Sequence, residues 1–146
     1  MAKADEAYKA TQRLIADAVS EGATGLYLHT PKTRALTALP PEIADLSGWL
    51  PTLDLNNTQI TDAGLAQIKS LANLQGFDLD NTQIADLRPL LQFPAAQGDA
   101  PNLTRLFFSN TPATRLDPRL AELSEIDDAP ERTRQTLAYL REVADD

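Results

Sequence analysis

The side chains capable of chemistry are few, and most of them are carboxylates. The chain has one histidine, His29, and no cysteine. Two aspartates, Asp54 and Asp78, occupy equivalent positions 24 residues apart, and Asp80 follows two residues after the second. Without cysteine the chain has no thiolate nucleophile, no disulfide and no Cys-ligated zinc. The remaining chemical candidates are a carboxylate pair, a triad through His29 and a divalent-cation site.

The spacing favours none of the three. A Ser–His–Asp triad has to use His29, and if Ser109 lies on the last strand of a shared parallel sheet it is roughly 14 Å away, too far for a hydrogen bond. Asp78 and Asp80 share a face, but without a pocket two carboxylates make no general acid–base pair. A cation site from Asp54, Asp78 and Asp80 stays open as a weaker alternative, because it lacks the compact loop of calcium motifs. We therefore expect no enzyme, no catalytic residue, no bound metal and no cofactor.

These aspartates belong to a repeated sequence. Residues 50–60 (LPTLDLNNTQI) recur at 74–84 (LQGFDLDNTQI), and a more divergent copy occupies 103–113 (LTRLFFSNTPA). Self-similarity at a period of about 20 to 50 residues is typical of stacked units. The copies resemble the leucine-rich repeat family, whose pattern is L-x-x-L-x-L-x-x-N-x-L. The resemblance covers about 23–117 and is weakest in the first copy. The chain departs from the pattern by placing threonine where the family usually has asparagine, at Thr58, Thr82 and Thr111.

The resemblance implies an α/β solenoid with about four short parallel strands, short helical or 3₁₀ returns, and helical caps at both ends. We expect one domain over 1–146, with an N-terminal capping helix in 1–22, repeats in 23–117 and a C-terminal helical cap in 118–146. Val19 is predicted to face the core from the first helix, which Gly22 is placed to end. Thr61 or Asp62 is placed to cap a short helix in the second repeat, and Asp117 and Asp128 to begin the later helices. Residues 145–146 are expected to fray. An insertion at 94–101 lengthens the third return and is predicted to be a surface loop.

Strand alternation separates the core from the candidate site. Leu53 and Leu55 are predicted to point inward, and the residues between them outward. The outward residues form an acidic centre with aromatic residues at both ends, which is typical of a surface that docks a basic partner. Phe107 is the most distinctive of them, being a large apolar residue in an outward position. The predicted partner-binding residues are Tyr27, His29, Asp54, Asn56, Asp78, Asp80, Arg105, Phe107 and Ser109.

Composition limits the kind of partner. The net charge is −8 and the sequence pI is about 4.5, so a nucleic-acid groove or adsorption to anionic lipid is not expected. The sequence has no signal-peptide pattern and no apolar run of membrane-spanning length, and we expect a cytoplasmic, monomeric protein.

The family resemblance implies a non-catalytic module that binds a protein with a basic patch through the concave sheet face, for example as a bacterial or phage adaptor or inhibitor. Four alternatives stay open. The chain can be the recognition segment of a larger effector or enzyme complex, or a purely structural spacer. The acidic face can be merely solvated, or the 94–101 insertion can be the binding surface.

Overall fold

A four-stranded parallel sheet forms the centre of the protein, and its strands lie side by side in chain order. The structure is a computed structural model that describes residues 3–98 and 101–144. The register pairs equivalent repeat positions, so that Leu26, Leu53, Phe77 and Leu106 align across the sheet. The predicted parallel sheet and its register are thus confirmed. The strands are β1 (Gly25–Tyr27), β2 (Thr52–Asp54), β3 (Gly76–Asp78) and β4 (Arg105–Phe107).

Short helices return the chain from each strand to the next. A single turn-rich loop and a 3₁₀ helix join β1 to β2, an α-helix joins β2 to β3, and two 3₁₀ helices join β3 to β4. Within residues 3–98 and 101–144, none of the helices has the length and apolar composition that a bilayer span needs. The α-helices are α1 (Lys3–Glu21), α2 (Asp62–Gln67), α3 (Pro112–Leu116), α4 (Pro118–Ser124) and α5 (Ala129–Ala144), and the 3₁₀ helices are Pro41–Leu46, Arg88–Gln92 and Pro94–Ala96.

One face of the sheet is the hydrophobic core. Leu53, Leu55, Phe77 and Leu79 are completely buried, as the alternation predicts. Phe77 stacks on Phe93 from the third return, with ring centroids 6.3 Å apart. Full burial of each such side chain contributes roughly 1.5–3 kcal/mol. Because these residues recur in columns, each strand buries its apolar side against its neighbours and against the return segments.

A buried threonine closes the turn that follows β2, β3 and β4. The Thr82 hydroxyl donates a 2.7 Å hydrogen bond to the Leu79 carbonyl, and the other two threonines make the equivalent bond. A threonine hydroxyl thereby satisfies a buried carbonyl within its own turn. The three residues are Thr58, Thr82 and Thr111.

An asparagine before each threonine adopts a left-handed backbone conformation. The φ angles are +65° at Asn57, +61° at Asn81 and +55° at Asn110. Asparagine tolerates this conformation better than most residues do. The side chains also join neighbouring turns, because Asn110 donates to Asn81 at 2.7 Å and Asn81 donates to Asn56 at 3.0 Å.

The two long helices pack against the edge strands, α1 on β1 and α5 on β4. Gly22, with φ +60°, ends α1 as predicted. In α5 the Thr133 hydroxyl accepts from the Leu106 amide at 2.9 Å, and Arg132 Nε donates to the Leu106 carbonyl at 2.7 Å. The backbone of β4 therefore finds partners at what would otherwise be an open sheet edge.

Several local predictions are corrected by the structure. Val19, predicted to face the core, is 41% exposed. The loop predicted at 94–101 begins instead with the 3₁₀ helix Pro94–Ala96, in which Ala95 and Ala96 are buried. Apolar burial overrides the Pro- and Gly-rich composition there.

Two further local predictions concern the cap of helix α2 and the C-terminal residues. Helix α2 has no side-chain cap, and Asp62 instead accepts from the Ala85 amide of the next return at 2.8 Å. Residues 145–146, expected to fray, lie outside the described residues.

Candidate functional site

The outward face of the sheet gathers most of the predicted binding residues. The register aligns Tyr27, Asp54, Asp78 and Phe107 in one column across the four strands. A second column, Gly25, Thr52, Gly76 and Arg105, runs beside it. We call the shallow depression between these columns the sheet-face site. It is lined chiefly by Tyr27, Thr52, Asp54, Gly76, Asp78, Arg105 and Phe107.

Two carboxylates occupy its centre on neighbouring strands. Asp78 Oδ1 accepts from the Asp80 amide at 2.9 Å, and Asp54 Oδ1 accepts from the Asn56 amide at 2.9 Å. The second oxygen of Asp54 lies 2.9 Å from His29 Nδ1. In each strand the aspartate thus closes a local turn with one oxygen while its carboxylate lies on the outward face.

Burial makes one of these carboxylates weakly acidic. Loss of hydration raises the pKa of Asp78 from 3.8 to about 6, and the Asp80 and Asp54 carboxylates act in the same direction. The hydrogen bond from the Asp80 amide and the nearby His29 oppose this increase in pKa. An ionised Asp78 therefore lies in a region of incomplete hydration and negative potential, which favours contact with a cation.

Asp80 lies on the same face, two residues after the end of β3. Burial raises the pKa of Asp80 above its ordinary value, and the Asp54 carboxylate acts in the same direction, while the Ser109 amide and Arg132 offset part of the increase. Asp80 Oδ1 accepts from the Ser109 amide at 2.6 Å, and the Ser109 hydroxyl donates to the Ser124 carbonyl at 3.5 Å. Asp80 therefore links the last two repeats, and Ser109 links the last repeat to the C-terminal helices.

Two glycines let long side chains lie flat on the sheet. A Cβ atom added at Gly25 would fall 2.5 Å from the Tyr27 hydroxyl, and one at Gly76 would fall 3.0 Å from Arg105 Nη2. Tyr27 is 50% exposed, and its ring meets the His29 ring edge-on, with centroids 6.2 Å apart. Arg105 thus reaches from β4 across to β3, and its guanidinium lies over Gly76.

The Phe107 ring, predicted to anchor a partner, is partly covered by another side chain of the protein. The Arg132 guanidinium lies 4.4 Å from the centroid of this ring, and Arg132 is only 5% exposed. One face of the ring is therefore covered by the chain itself, and a role of Phe107 in partner binding stays a prediction. The sequence analysis missed Arg132 because it lies outside the repeats, on a helix whose own pattern predicts only a leucine stripe.

The chemical alternatives can now be placed in the structure. Among the residues described, no group of three or more His, Cys, Asp and Glu side chains is arranged to hold a metal ion. Asp54, Asp78 and Asp80 each direct one oxygen to a backbone amide instead. His29 pairs with Asp54, whereas the Ser109 hydroxyl faces the Ser124 carbonyl, so these side chains do not form a hydrogen-bonded triad.

Comparison of the chain with protein-family models, with curated proteins and with solved structures found no match. The sheet-face site is an accessible surface that carries a partly desolvated carboxylate, an exposed tyrosine and an exposed arginine. Such a combination is suited to contact with another protein.

Proposed function

We propose that this chain is a short leucine-rich-repeat solenoid that binds a protein partner through the sheet-face site. The repeat pattern and the strand register support this, since residues equivalent in sequence are also equivalent in the sheet. The inward residues form the core, so only the outward residues are free to vary with the partner. In this proposal the helices at the two ends cover the apolar cross-section that a repeat array would otherwise expose.

The observation that carries the proposal is the exposed sheet face itself, with Tyr27 beside half-buried carboxylates. Tyrosine, tryptophan and arginine are the residue types enriched in binding hot spots. Asp78 is partly desolvated in the free protein, so part of the cost of removing water is already met before a partner arrives. A partner with a basic patch fits this centre, and the polyanionic backbone of a nucleic acid does not.

The role proposed is recognition without catalysis. It is the same whether the module acts alone, as an adaptor or inhibitor, or serves as the recognition segment of a larger assembly. The sheet-face site would supply the specificity in either case, because its side chains are held on short strands and not on long loops.

Affinity capture with matched variants tests this proposal. The test variant is Tyr27→Ala/Asp78→Asn, which removes the exposed ring and one charge from the site. The control variant is Val19→Ala/Asp45→Asn, which makes the same kinds of change at two exposed positions elsewhere. Circular dichroism and thermal melting establish first that all three proteins fold.

Captured proteins from a native lysate are then quantified by mass spectrometry. The proposal predicts a protein retained by the wild type and the control variant and depleted at least about tenfold by the test variant, which corresponds to about 1.4 kcal/mol. Equal capture by both variants would place the binding surface elsewhere and refute the proposal.

A further inference from the structure

The charges on the sheet-face site are ordered and do not form a uniformly acidic surface. Asp54 and Asp78 lie in one column, on β2 and β3. The Arg105 guanidinium lies over Gly76, within 3.0–3.1 Å of where a Cβ would be. Gly76 and Asp78 are two residues apart on β3, so the backbone positions that carry the two charges are separated along the strand by roughly 6.6 Å.

These opposite charges do not neutralise each other within the protein. The ion pairs found among residues 3–98 and 101–144 include neither Asp78 nor Arg105. Over the same residues the Arg105 side chain makes no hydrogen bond, and Asp78 uses only Oδ1, toward the Asp80 amide. Both charged groups therefore keep binding capacity for an external ligand.

A second guanidinium strengthens the positive end of the site. Arg132 is 5% exposed, and it lies on the Phe107 ring at 4.4 Å. Its Nη2 atom is buried and has no hydrogen-bond partner among the described residues. The β4 side of the face thus carries one exposed cation and one buried cation with an unused donor, and a further positive charge brought there by a partner would be repelled.

We infer that the sheet-face site recognises a protein segment that presents a basic side chain and a carboxylate about one helical turn apart. The basic group would sit on Asp54 and Asp78 beside the Tyr27 ring, and the carboxylate would pair with the Arg105 guanidinium. On a helix, residues at i and i+4 are separated by roughly 5–6 Å between their Cβ atoms, which is comparable to the backbone spacing of Gly76 and Asp78 on β3. The inference rests on the proposed function and specifies the chemistry of the partner.

The hydration of Asp78 and the geometry of the Arg105 guanidinium both favour these contacts. The incomplete hydration that raises the pKa of Asp78 means that a partner ammonium displaces little water from it. Arginine binds a carboxylate through two parallel N–H bonds, which fixes orientation as well as charge. A partner with lysines alone would satisfy only one of the two subsites.

Two small probes that differ only in a carboxylate test the inference. Nα-acetyl-lysine carries an ammonium and a carboxylate, and Nα-acetyl-lysine N-methylamide carries the ammonium alone. Each is titrated into the full chain at pH 7.5 while backbone amide chemical shifts are followed by NMR. We expect both probes to shift resonances of β2 and β3, and only the carboxylate probe to shift those around Arg105. The carboxylate probe should bind about threefold more tightly, the range of an exposed ion pair.

Variants assign the two contacts separately. Arg105→Gln should abolish the threefold difference between the probes, while the conservative Arg105→Lys should keep part of it. Asp78→Asn should weaken both probes to a similar degree, and Arg34→Gln, an exposed arginine in the loop after β1, should change neither. Equal binding of the two probes to the wild type, shifts confined to other surfaces, or no binding of either probe would each overturn the inference. None of these results alters the capture experiment, which tests the proposed function with the native partner.

Discussion

Replacing Asp78 by Asn should make the folded chain more stable at neutral pH. The asparagine Oδ1 can still accept the hydrogen bond from the Asp80 amide, which Asp78 Oδ1 accepts at 2.9 Å. The substitution removes a charge that is partly desolvated and that lies near the Asp54 and Asp80 carboxylates. Repulsion and desolvation are therefore both relieved at little structural cost.

The magnitude follows from the pKa. A pKa raised from 3.8 to about 6 in the folded chain corresponds to at most about 3 kcal/mol against the ionised form. Solvent screening reduces this figure, because the side chain is only half-buried. We therefore expect a gain of about 1 kcal/mol in the free energy of unfolding at pH 7.5.

The sign of the pH dependence is specific. Between pH 3.8 and about 6 the folded wild type binds more protons at Asp78 than the unfolded chain does, so its stability rises as the pH falls through this range. The variant lacks this titration. Its advantage should be complete above about pH 7, shrink as the pH falls through about 6, and vanish below about pH 4.

Urea denaturation at several pH values measures this difference directly. Asp45→Asn, at an exposed aspartate, is the matched control and should change stability by less than about 0.5 kcal/mol. A destabilised Asp78→Asn protein at pH 7.5, or an advantage that persists unchanged at pH 4, would refute the electrostatic account of the sheet-face site.

Three further predictions concern the framework. Asn81 has a φ of +61°, so Asn81→Ala should be about 1 kcal/mol less stable than Asn81→Gly, and equal stabilities would show that the backbone conformation is not the constraint. Thr82→Val removes the buried hydrogen bond to the Leu79 carbonyl and should cost about 1 kcal/mol in urea denaturation, whereas an unchanged midpoint would mean that this bond contributes nothing net. Arg132→Ala removes the hydrogen bonds to the Leu106 and Ile126 carbonyls. It should lower the free energy of unfolding by about 3 kcal/mol and speed amide hydrogen exchange in β4, whereas exposed Arg134→Ala should do neither. Unchanged exchange in β4 would contradict the proposed closure of the sheet edge.

The sheet and its register were predictable from the spacing of the repeats. Equivalent repeat positions occupy equivalent places in a stacked array, so the offset between the copies is enough to pair Leu53 with Phe77. The burial of their columns follows from alternation. The helix starts at Asp117 and Asp128 were predictable for a similar reason, because local capping chemistry determines them.

The parts that could not be predicted depend on contacts between distant residues. No pattern near Arg132 indicates that its guanidinium will lie on Phe107, 25 residues away in the sequence. The flat path of Arg105 over Gly76 is likewise visible only once the strands are paired. Helix α3 was missed because its five residues are too few to establish a hydrophobic period.

The part of the candidate site that was predictable is the identity of its outward columns, which follows from the register. The balance of its charges was not predictable, because it depends on burial and on side-chain direction. Sequence analysis indicated an acidic patch between two aromatic ends. The structure places a partly desolvated Asp78 in the same depression as Arg105, and Arg105 has no ion-pair partner within residues 3–98 and 101–144. One face of the Phe107 ring is covered by Arg132.

Photo-crosslinking from the position of Tyr27 tests the central proposal most directly. The Tyr27 ring is half exposed at the sheet-face site, so p-azidophenylalanine in its place preserves the shape of the side chain. The same group at exposed Lys69, after helix α2, is the control. The account predicts a crosslinked partner from the Tyr27 position and none from Lys69, with the adduct reduced by Asp78→Asn. A partner that crosslinks from Lys69 and not from Tyr27 would contradict it.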